Sequence, residues 1–210
     1  MDADEALERL RDGNRRFVAN QRRADLATGP DRRAALATSQ EPFAVILGCS
    51  DSRVPAEIVF DQGLGDLFVI RVAGNIVAPS QLGSVEFATA AFDTRLVVVL
   101  GHSRCGAVLA TLELLRQPRV ERSRGLKAIA DRIRPAVEPL LGTDLRHDPQ
   151  ALVNEAVRAN VRAAVDALRC GSPLLEQLVR NGSLVVVGAE YSLDTGRVEF
   201  LDEVSGAGLS

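Results

Sequence analysis

The stretch that decides the fold is FAVILGCSDSR, residues 43–53, in which an uninterrupted apolar run ends in a polar turn. A strand buried on both faces of a sheet has such a continuous run, and both faces are covered when helices flank a parallel sheet. Three further runs of the same kind lie at 67–70, 96–100 and 184–187. The sequence therefore predicts four buried strands.

Helical patterns separate these strands, which is typical of an α/β fold with a mainly parallel β-sheet flanked by helices. The predicted helices span 55–61, 81–92, 105–115, 125–141 and 149–170. An alternating segment at 197–201 follows the turn Asp194-Thr195-Gly196. We expect it to form an antiparallel edge strand by folding back on the preceding strand.

The first forty residues differ from this pattern. Residues 3–20 predict an amphipathic helix, and residues 21–40 are polar, with Gly29-Pro30 and room for a short helix. We interpret 1–210 as a single domain, with an N-terminal helical arm at 1–40 and an α/β core at 41–210. The arm is expected to contact a neighbouring subunit.

Composition narrows the class of protein. A hydrophobic fraction of 46% and a net charge of −3 are those of an ordinary globular chain, without an electrostatic reason to bind nucleic acid. We find neither an apolar run of about 18 residues, which a membrane span needs, nor the basic and apolar start of a secretory signal. Three cysteines do not make a disulfide framework. These features predict a cytoplasmic location and no membrane partner.

Two short turns contain the side chains that can do chemistry. GCSDSR at 48–53 and GHSRCG at 101–106 each follow the carboxyl end of a predicted buried strand, where α/β sheets bind ligands. Together they offer Cys49, Asp51, His102 and Cys105, a ligand set that suits tetrahedral zinc. We expect His102 and Cys105, three residues apart, to face the same way on the first turn of a helix.

The pair Asp51 and Arg53 is a second feature of the first turn. A carboxylate and a guanidinium two residues apart can form a bidentate ion pair, and this pairing competes with a metal for Asp51. If Asp51 binds the metal, the fourth position is filled. If Asp51 turns to Arg53, water can enter that position and ionise near neutral pH.

The two turns resemble the signature of the β-carbonic anhydrase family, CSDSR followed some fifty residues later by HSRCG. The likeness extends from about residue 40 to 201 and includes VPAE at 54–57, GDLFVIRVAGN at 65–75 and TGRVEFL at 195–201. It implies reversible hydration of carbon dioxide to bicarbonate by attack of zinc-bound hydroxide, with one Zn²⁺ per subunit and a homodimeric or homotetrameric assembly.

The resemblance also implies a role for individual residues. Cys49, His102 and Cys105 match the permanent zinc ligands, and Asp51 matches an aspartate that binds zinc in a closed form and pairs with Arg53 in the active one. Five positions match the family's substrate pocket: Gln40, Phe68, Ala73, Phe87 and Gly106. Many relatives have tyrosine in place of Phe87, and the absence of tryptophan argues against one form of bicarbonate regulation found in the family.

Other functions compete with this interpretation. Four protein ligands also describe a non-catalytic zinc-binding module, although such a module needs no arginine able to draw a ligand away. Relatives on the same fold hydrolyse carbon disulfide or carbonyl sulfide. A cysteine phosphatase would need arginine six residues after its cysteine, where Pro55 and Thr111 stand.

Three other features are interpreted as structural. His147 is expected to be solvated, and Cys170 to pack at a helix end. The basic stretch formed by Arg116, Arg119, Arg122, Arg124 and Lys127 is expected to be a solvated face.

Overall fold

The structure is a computed structural model that describes residues 1–23, 29–117 and 123–201. Its helices are α1 Ala3–Val18, α2 Pro30–Ala35, α3 Ala56–Val59, α4 Pro79–Phe92, α5 Gly106–Arg116, α6 Arg124–Val137, α7 Pro149–Arg169 and α8 Pro173–Arg180. Its strands are β1 Ala44–Gly48, β2 Leu67–Arg71, β3 Leu96–His102, β4 Val185–Tyr191 and β5 Val198–Phe200. Short 3₁₀ turns lie at Ala73–Asn75, Glu138–Gly142 and Asp144–His147.

The five strands form one sheet in the order β2-β1-β3-β4-β5. All neighbours are parallel except β4 and β5, which are antiparallel. The α/β prediction, with its mainly parallel sheet and antiparallel edge strand, is confirmed. The chain continues from β1 to β2 on one side and later enters β3 on the other side, so the direction of strand addition reverses beside β1. Crevices for ligands open at such a point, outside the carboxyl ends of the strands.

Both faces of the sheet are covered, which explains the continuous apolar runs. Ala44 and Ile46 of β1 point to one face, where α1 and α3 pack. Val45 and Leu47 point to the other face and meet α4, α7 and α8. A third apolar cluster lies at the carboxyl ends of the strands, where α5, α6 and α7 surround Cys49 and Cys105. The predicted metal ligands therefore lie inside a packed region.

Helix α1 packs on the sheet of its own chain. The buried Asn14 amide donates to the carbonyls of Val59 (3.1 Å) and Gly196 (2.9 Å), and its oxygen accepts from the Val198 N–H. Nearby, the fully buried Asp61 carboxylate accepts from Arg16 Nε at 2.6 Å. Helix α2, by contrast, has no buried side chain. The boundary at residue 40 stays a prediction.

Some details differ from the sequence interpretation. Helix α8 was not predicted, although Ser172 caps it and Pro173 occupies its first turn. The helix expected at 125–141 ends at Val137 and continues as a 3₁₀ turn. Cys170 caps the end of α7 but is exposed, so its predicted packing role is wrong. Of the basic stretch, Arg119 and Arg122 lie outside the described residues. No helix in the described ranges has both the length and the apolarity needed to cross a membrane.

The contact between α1 and α3 leads to a stability prediction at Gly13. A Cβ on this residue would overlap the Phe60 carbonyl oxygen, which is backbone and cannot move aside easily. We expect Gly13→Ala to lower the free energy of unfolding by about 1–3 kcal/mol, the usual cost of overpacking. Gly83 on α4 is the matched control, because a Cβ there meets open space.

Gly83→Ala should instead stabilise the chain by about 0.5–1 kcal/mol, the helix-propensity difference between glycine and alanine. Urea unfolding of both variants measures the change in the free energy of unfolding, which should be negative for Gly13→Ala and positive for Gly83→Ala. Equal effects in both variants would contradict the packing of α1 described above.

Candidate metal centre

Three donor side chains meet at the ends of the two central strands. Cys49 is the first residue after β1, His102 is the last residue of β3, and Cys105 precedes the first residue of α5 as its N-cap. Their donor atoms all lie within 4.8 Å of one another, and all three side chains are buried. This geometry is that of a site able to hold a metal ion.

The prediction that His102 and Cys105 share the first turn of a helix is wrong. His102 is still in the strand, and the chain reverses through Arg104, which has a positive φ of 55°. Their side chains converge because a tight turn joins β3 to α5. Ser103 braces this turn, since its N–H donates to the Tyr191 carbonyl at 2.9 Å and its hydroxyl accepts from the Leu193 N–H at 3.0 Å.

His102 is fully buried and is oriented as a metal ligand. Nδ1 lies 3.0 Å from the Ser103 carbonyl, so this nitrogen carries the proton and donates it there. Nε2 consequently presents a lone pair, yet it has no hydrogen-bond partner among the described residues. A buried polar atom without a partner costs free energy, and a metal ion between Nε2 and the two sulfurs would satisfy it.

The two thiols lie close enough to interact directly. A hydrogen bond from Cys105 lowers the pKa of Cys49, assisted by the backbone N–H groups of Gly74 and Asp51, while burial opposes the shift. The pKa of Cys105 is raised because it donates to Cys49 and is itself buried. A soft divalent cation between them would hold both sulfurs as thiolates. The donor set fits zinc.

Asp51 lies beside this donor set but is engaged by Arg53. Arg53 Nε donates to Oδ1 at 2.9 Å and Nη2 donates to Oδ2 at 2.7 Å, which makes the ion pair bidentate. This pairing holds the pKa of Asp51 well below its usual range. Asp51 Oδ2 is also 3.8 Å from His102 Nε2. The carboxylate is thus near enough to serve the metal position.

Arg71 is a functional contact that the sequence interpretation did not foresee. Its Nε donates to the Cys49 carbonyl at 3.0 Å and its Nη2 donates to the Asp51 carbonyl at 2.6 Å. Arg71 ends β2 directly opposite Gly48 of β1, so register places it beside the turn. It fixes the backbone that carries Cys49 and Asp51. Register between strands is not visible in a sequence, which is why this contact was missed.

Two of the five predicted substrate residues lie next to the metal donors. Ala73 and Gly106 line a small apolar cavity of about 270 Å³ between α5 and α6, together with Ala107 and Ala110. Gly106 directly follows Cys105, and Ala73 precedes Gly74, whose N–H contacts Cys49 Sγ. The three donor residues themselves do not line this cavity, which adjoins them through their chain neighbours Ala73 and Gly106.

Within one chain, the other three predicted substrate residues lie away from the metal donors. Phe68 pairs with Val45 in register, four residues or about 13 Å along the strand from Cys49. It packs with Phe87 and Phe92 at ring-centroid distances of 6.2 and 6.0 Å, and Phe87 is 56% exposed. Gln40 precedes the amino end of β1 and lines a cleft with Leu64 and Phe92. One chain does not bring these three side chains to the metal donors.

Comparison with known proteins identifies the family. The model of the carbonic anhydrase family matches residues 44–198. Carbonic anhydrase 2 of Mycobacterium tuberculosis is 41% identical over 203 residues, which are 97% of this chain and 95% of that protein. The carbonic anhydrase of Pseudomonas aeruginosa is 36% identical over 182 residues, which are 81% of this chain and 78% of that protein.

Solved structures show the same fold. A tetrameric β-carbonic anhydrase from Sordaria macrospora superposes with a TM-score of 0.73 at 26% identity, covering 83% of this chain and 88% of that one. A Coccomyxa β-carbonic anhydrase in complex with acetazolamide gives 0.71 at 26% identity, covering 91% and 84%. From the family match, the relatives and the Cys-His-Cys centre together, we conclude that this chain belongs to the β-carbonic anhydrase family and is an enzyme of that class.

Proposed function

We propose that the chain binds one Zn²⁺ per subunit through Cys49, His102 and Cys105 and catalyses the reversible hydration of carbon dioxide to bicarbonate and a proton. The observation that carries this proposal is the buried, unpartnered Nε2 of His102 beside two thiols and the Asp51–Arg53 pair. When bound there, zinc supplies the Lewis acidity that lets water ionise near neutral pH.

Asp51 has two roles in the proposal. Paired with Arg53, its carboxylate is fixed near the donor set and can accept a hydrogen bond from the attacking water. This bond orients the water so that a lone pair points at the carbon of carbon dioxide. Released from Arg53, the Asp51 carboxylate would be a further donor to a metal held by Cys49, His102 and Cys105, and water would then be excluded. The Asp51–Arg53 pair thus gates the site.

We propose that carbon dioxide, which has no charge and no net dipole, enters the apolar cavity lined by Ala73 and Gly106. Ala73 contributes an apolar wall. Gly106 begins α5, so its N–H is one of those that have no partner within the helix. We propose that this N–H donates to a substrate oxygen as negative charge develops on it.

The remaining pocket residues support an assembly of at least two chains. Gln40, Phe68 and Phe87 lie away from the metal donors of their own chain, and the Phe87 ring is exposed. We propose that in a homodimer or homotetramer they border the site of a second subunit. Gln40 would orient a substrate oxygen there, and the two phenylalanines would extend the apolar wall. The Sordaria macrospora neighbour is itself tetrameric.

Two alternatives can be separated from this proposal in one experiment. A carbon disulfide or carbonyl sulfide hydrolase would use the same donor set, and a non-catalytic zinc module would also bind zinc. We would follow carbon dioxide hydration by stopped flow and sulfide release from carbon disulfide on the same zinc-loaded sample. Hydration without sulfide release supports the proposal. Sulfide release alone, or neither reaction, favours one of the alternatives.

Turnover is expected to depend on pH. Folding lowers the pKa of Asp51, so the ionised carboxylate stabilises the folded state above the unfolded pKa of about 3.9. This stabilisation is lost only as the pH falls through the lower pKa of the folded state. Asp51 therefore stays ionised at pH 7 and at pH 8.5. We expect turnover to rise roughly twofold or more between these values, because ionised water becomes more abundant. A turnover that falls over this range, measured by stopped flow, would contradict the proposal.

A further inference from the structure

The sulfur of Cys49 accepts a hydrogen bond from the backbone. The Gly74 N–H donates to Cys49 Sγ at 3.3 Å, and both residues are buried. A hydrogen bond of this kind stabilises a thiolate and withdraws electron density from it. A metal bound to that thiolate therefore becomes a stronger Lewis acid, which is how outer contacts tune a metal centre.

Gly74 can make this contact because of an unusual local conformation. Its φ is +74°, in the left-handed region, and the next residue, Asn75, also has a positive φ of 44°. A Cβ on Gly74 would stand 2.9 Å from Ile133 Cδ1 and 3.0 Å from Ala107 Cβ. Both the positive φ and the limited space therefore favour glycine at this position. Backbone hydrogen bonds tie Val72, just before this short 3₁₀ turn, to Gly48 and Ser50, so the Gly74 carbonyl is left for a contact from outside the turn.

Asn160 of α7 contacts this turn from the other side. Its Nδ2 donates to the Gly74 carbonyl at 2.8 Å, and the residue is 3% exposed. Helix α7 also packs directly on β3 and β4 through Val161 and Val165, so Asn160 stands on a rigid support. The buried amide therefore connects the body of the domain to the residue whose N–H contacts Cys49.

We propose that Asn160 is a positioning residue for the metal centre: it holds the Gly74 turn so that the Gly74 N–H stays on the Cys49 sulfur. It touches neither the substrate nor the metal and acts through Gly74 alone. This inference rests on the proposed zinc site. Its consequence is that zinc affinity and the electronic character of the Cys49 thiolate depend on a side chain 111 positions away in the sequence.

The test compares two buried asparagines. Asn160→Ala removes the amide that contacts Gly74, and Asn14→Ala removes an amide of similar burial, 7% exposed, that anchors α1 and makes its hydrogen bonds to Val59, Gly196 and Val198. Asn160→Leu serves as a second variant, because it keeps the side-chain volume while removing the donor. For each, zinc affinity is measured by competition with a chelator, and the thiolate-to-metal charge-transfer band is recorded on the cobalt(II)-substituted protein.

We expect both Asn160 variants to bind zinc about 10-fold more weakly. This is the lower end of the loss in metal affinity seen when a group that supports a metal ligand is removed. The charge-transfer band should shift to longer wavelength, because the thiolate loses a hydrogen bond. Asn14→Ala should lose stability while keeping the wild-type affinity and band.

Wild-type affinity and an unchanged band in both Asn160 variants would overturn the inference and leave the proposed zinc site intact. Failure of the wild-type protein itself to bind either metal would overturn both. The two failures are therefore distinguishable.

Discussion

Asp51→Ala is expected to keep one zinc per chain and to lose almost all carbon dioxide hydration. The three proposed zinc ligands are untouched by this change, whereas the carboxylate proposed to orient the attacking water is removed. Loss of correct orientation of a reacting group can cost about 10²-fold in rate, and we expect kcat to fall by at least that much. Zinc analysis and stopped-flow hydration on the same sample measure the two quantities separately.

The chain contains a matched control for this experiment. Asp93 and Arg95 form another ion pair two residues apart, at 3.0 Å, but on the exposed surface away from the metal donors. Asp93→Asn weakens that pair and suits the positive φ of the residue. It should leave kcat unchanged. Wild-type turnover in Asp51→Ala would show that the carboxylate has no part in the reaction.

Cys49→Ala is expected to abolish zinc binding in practice. The change removes one of three donors, the Cys49 sulfur, which accepts a hydrogen bond from the Gly74 N–H. Loss of an outer contact costs roughly 10- to 100-fold in metal affinity, so loss of a ligand should cost more than 100-fold. Chelator competition measures this affinity. The Tm of the variant should also no longer rise when zinc is added, because only bound ligand stabilises the native state.

Cys170 provides the control for that substitution, since it is an exposed cysteine at the end of α7 and outside the donor cluster. Cys170→Ala should bind zinc as tightly as the wild type. Stoichiometric zinc of unchanged affinity in Cys49→Ala would mean that the metal is held elsewhere.

The sequence was sufficient to predict the fold and to single out the three donor side chains that the structure brings together. Apolar runs at 43–48 and 96–100 predict the two central strands, because burial on both faces leaves no position for a polar side chain. Each run ends in a turn containing cysteine or histidine, and parallel strands bring such turns to the same edge. The ion pair between Asp51 and Arg53 also followed from spacing, since two residues in a tight turn suffice to form it.

Other features depend on contacts between distant parts of the chain. Arg71 reaches the Cys49 turn through strand register, and Asn160 reaches Gly74 across 86 residues. No local pattern marks either contact. The turn from His102 to Cys105 was misinterpreted as a helix because a spacing of three fits both conformations, and only backbone geometry separates them. The proposed position of Phe68 and Phe87 beside the site of a second subunit is a contact between chains, and no pattern within one sequence marks it.

The most direct test of the proposed function is a zinc titration of the metal-free protein with carbon dioxide hydration as the readout. The protein would be stripped with a chelator under reducing conditions, titrated with zinc, and assayed by stopped flow at pH 8.5. We predict negligible turnover without zinc and a linear rise that stops at one zinc per chain. Full turnover in the metal-free protein, or one bound zinc without turnover, would contradict the assignment of carbon dioxide hydration to the centre formed by Cys49, His102 and Cys105.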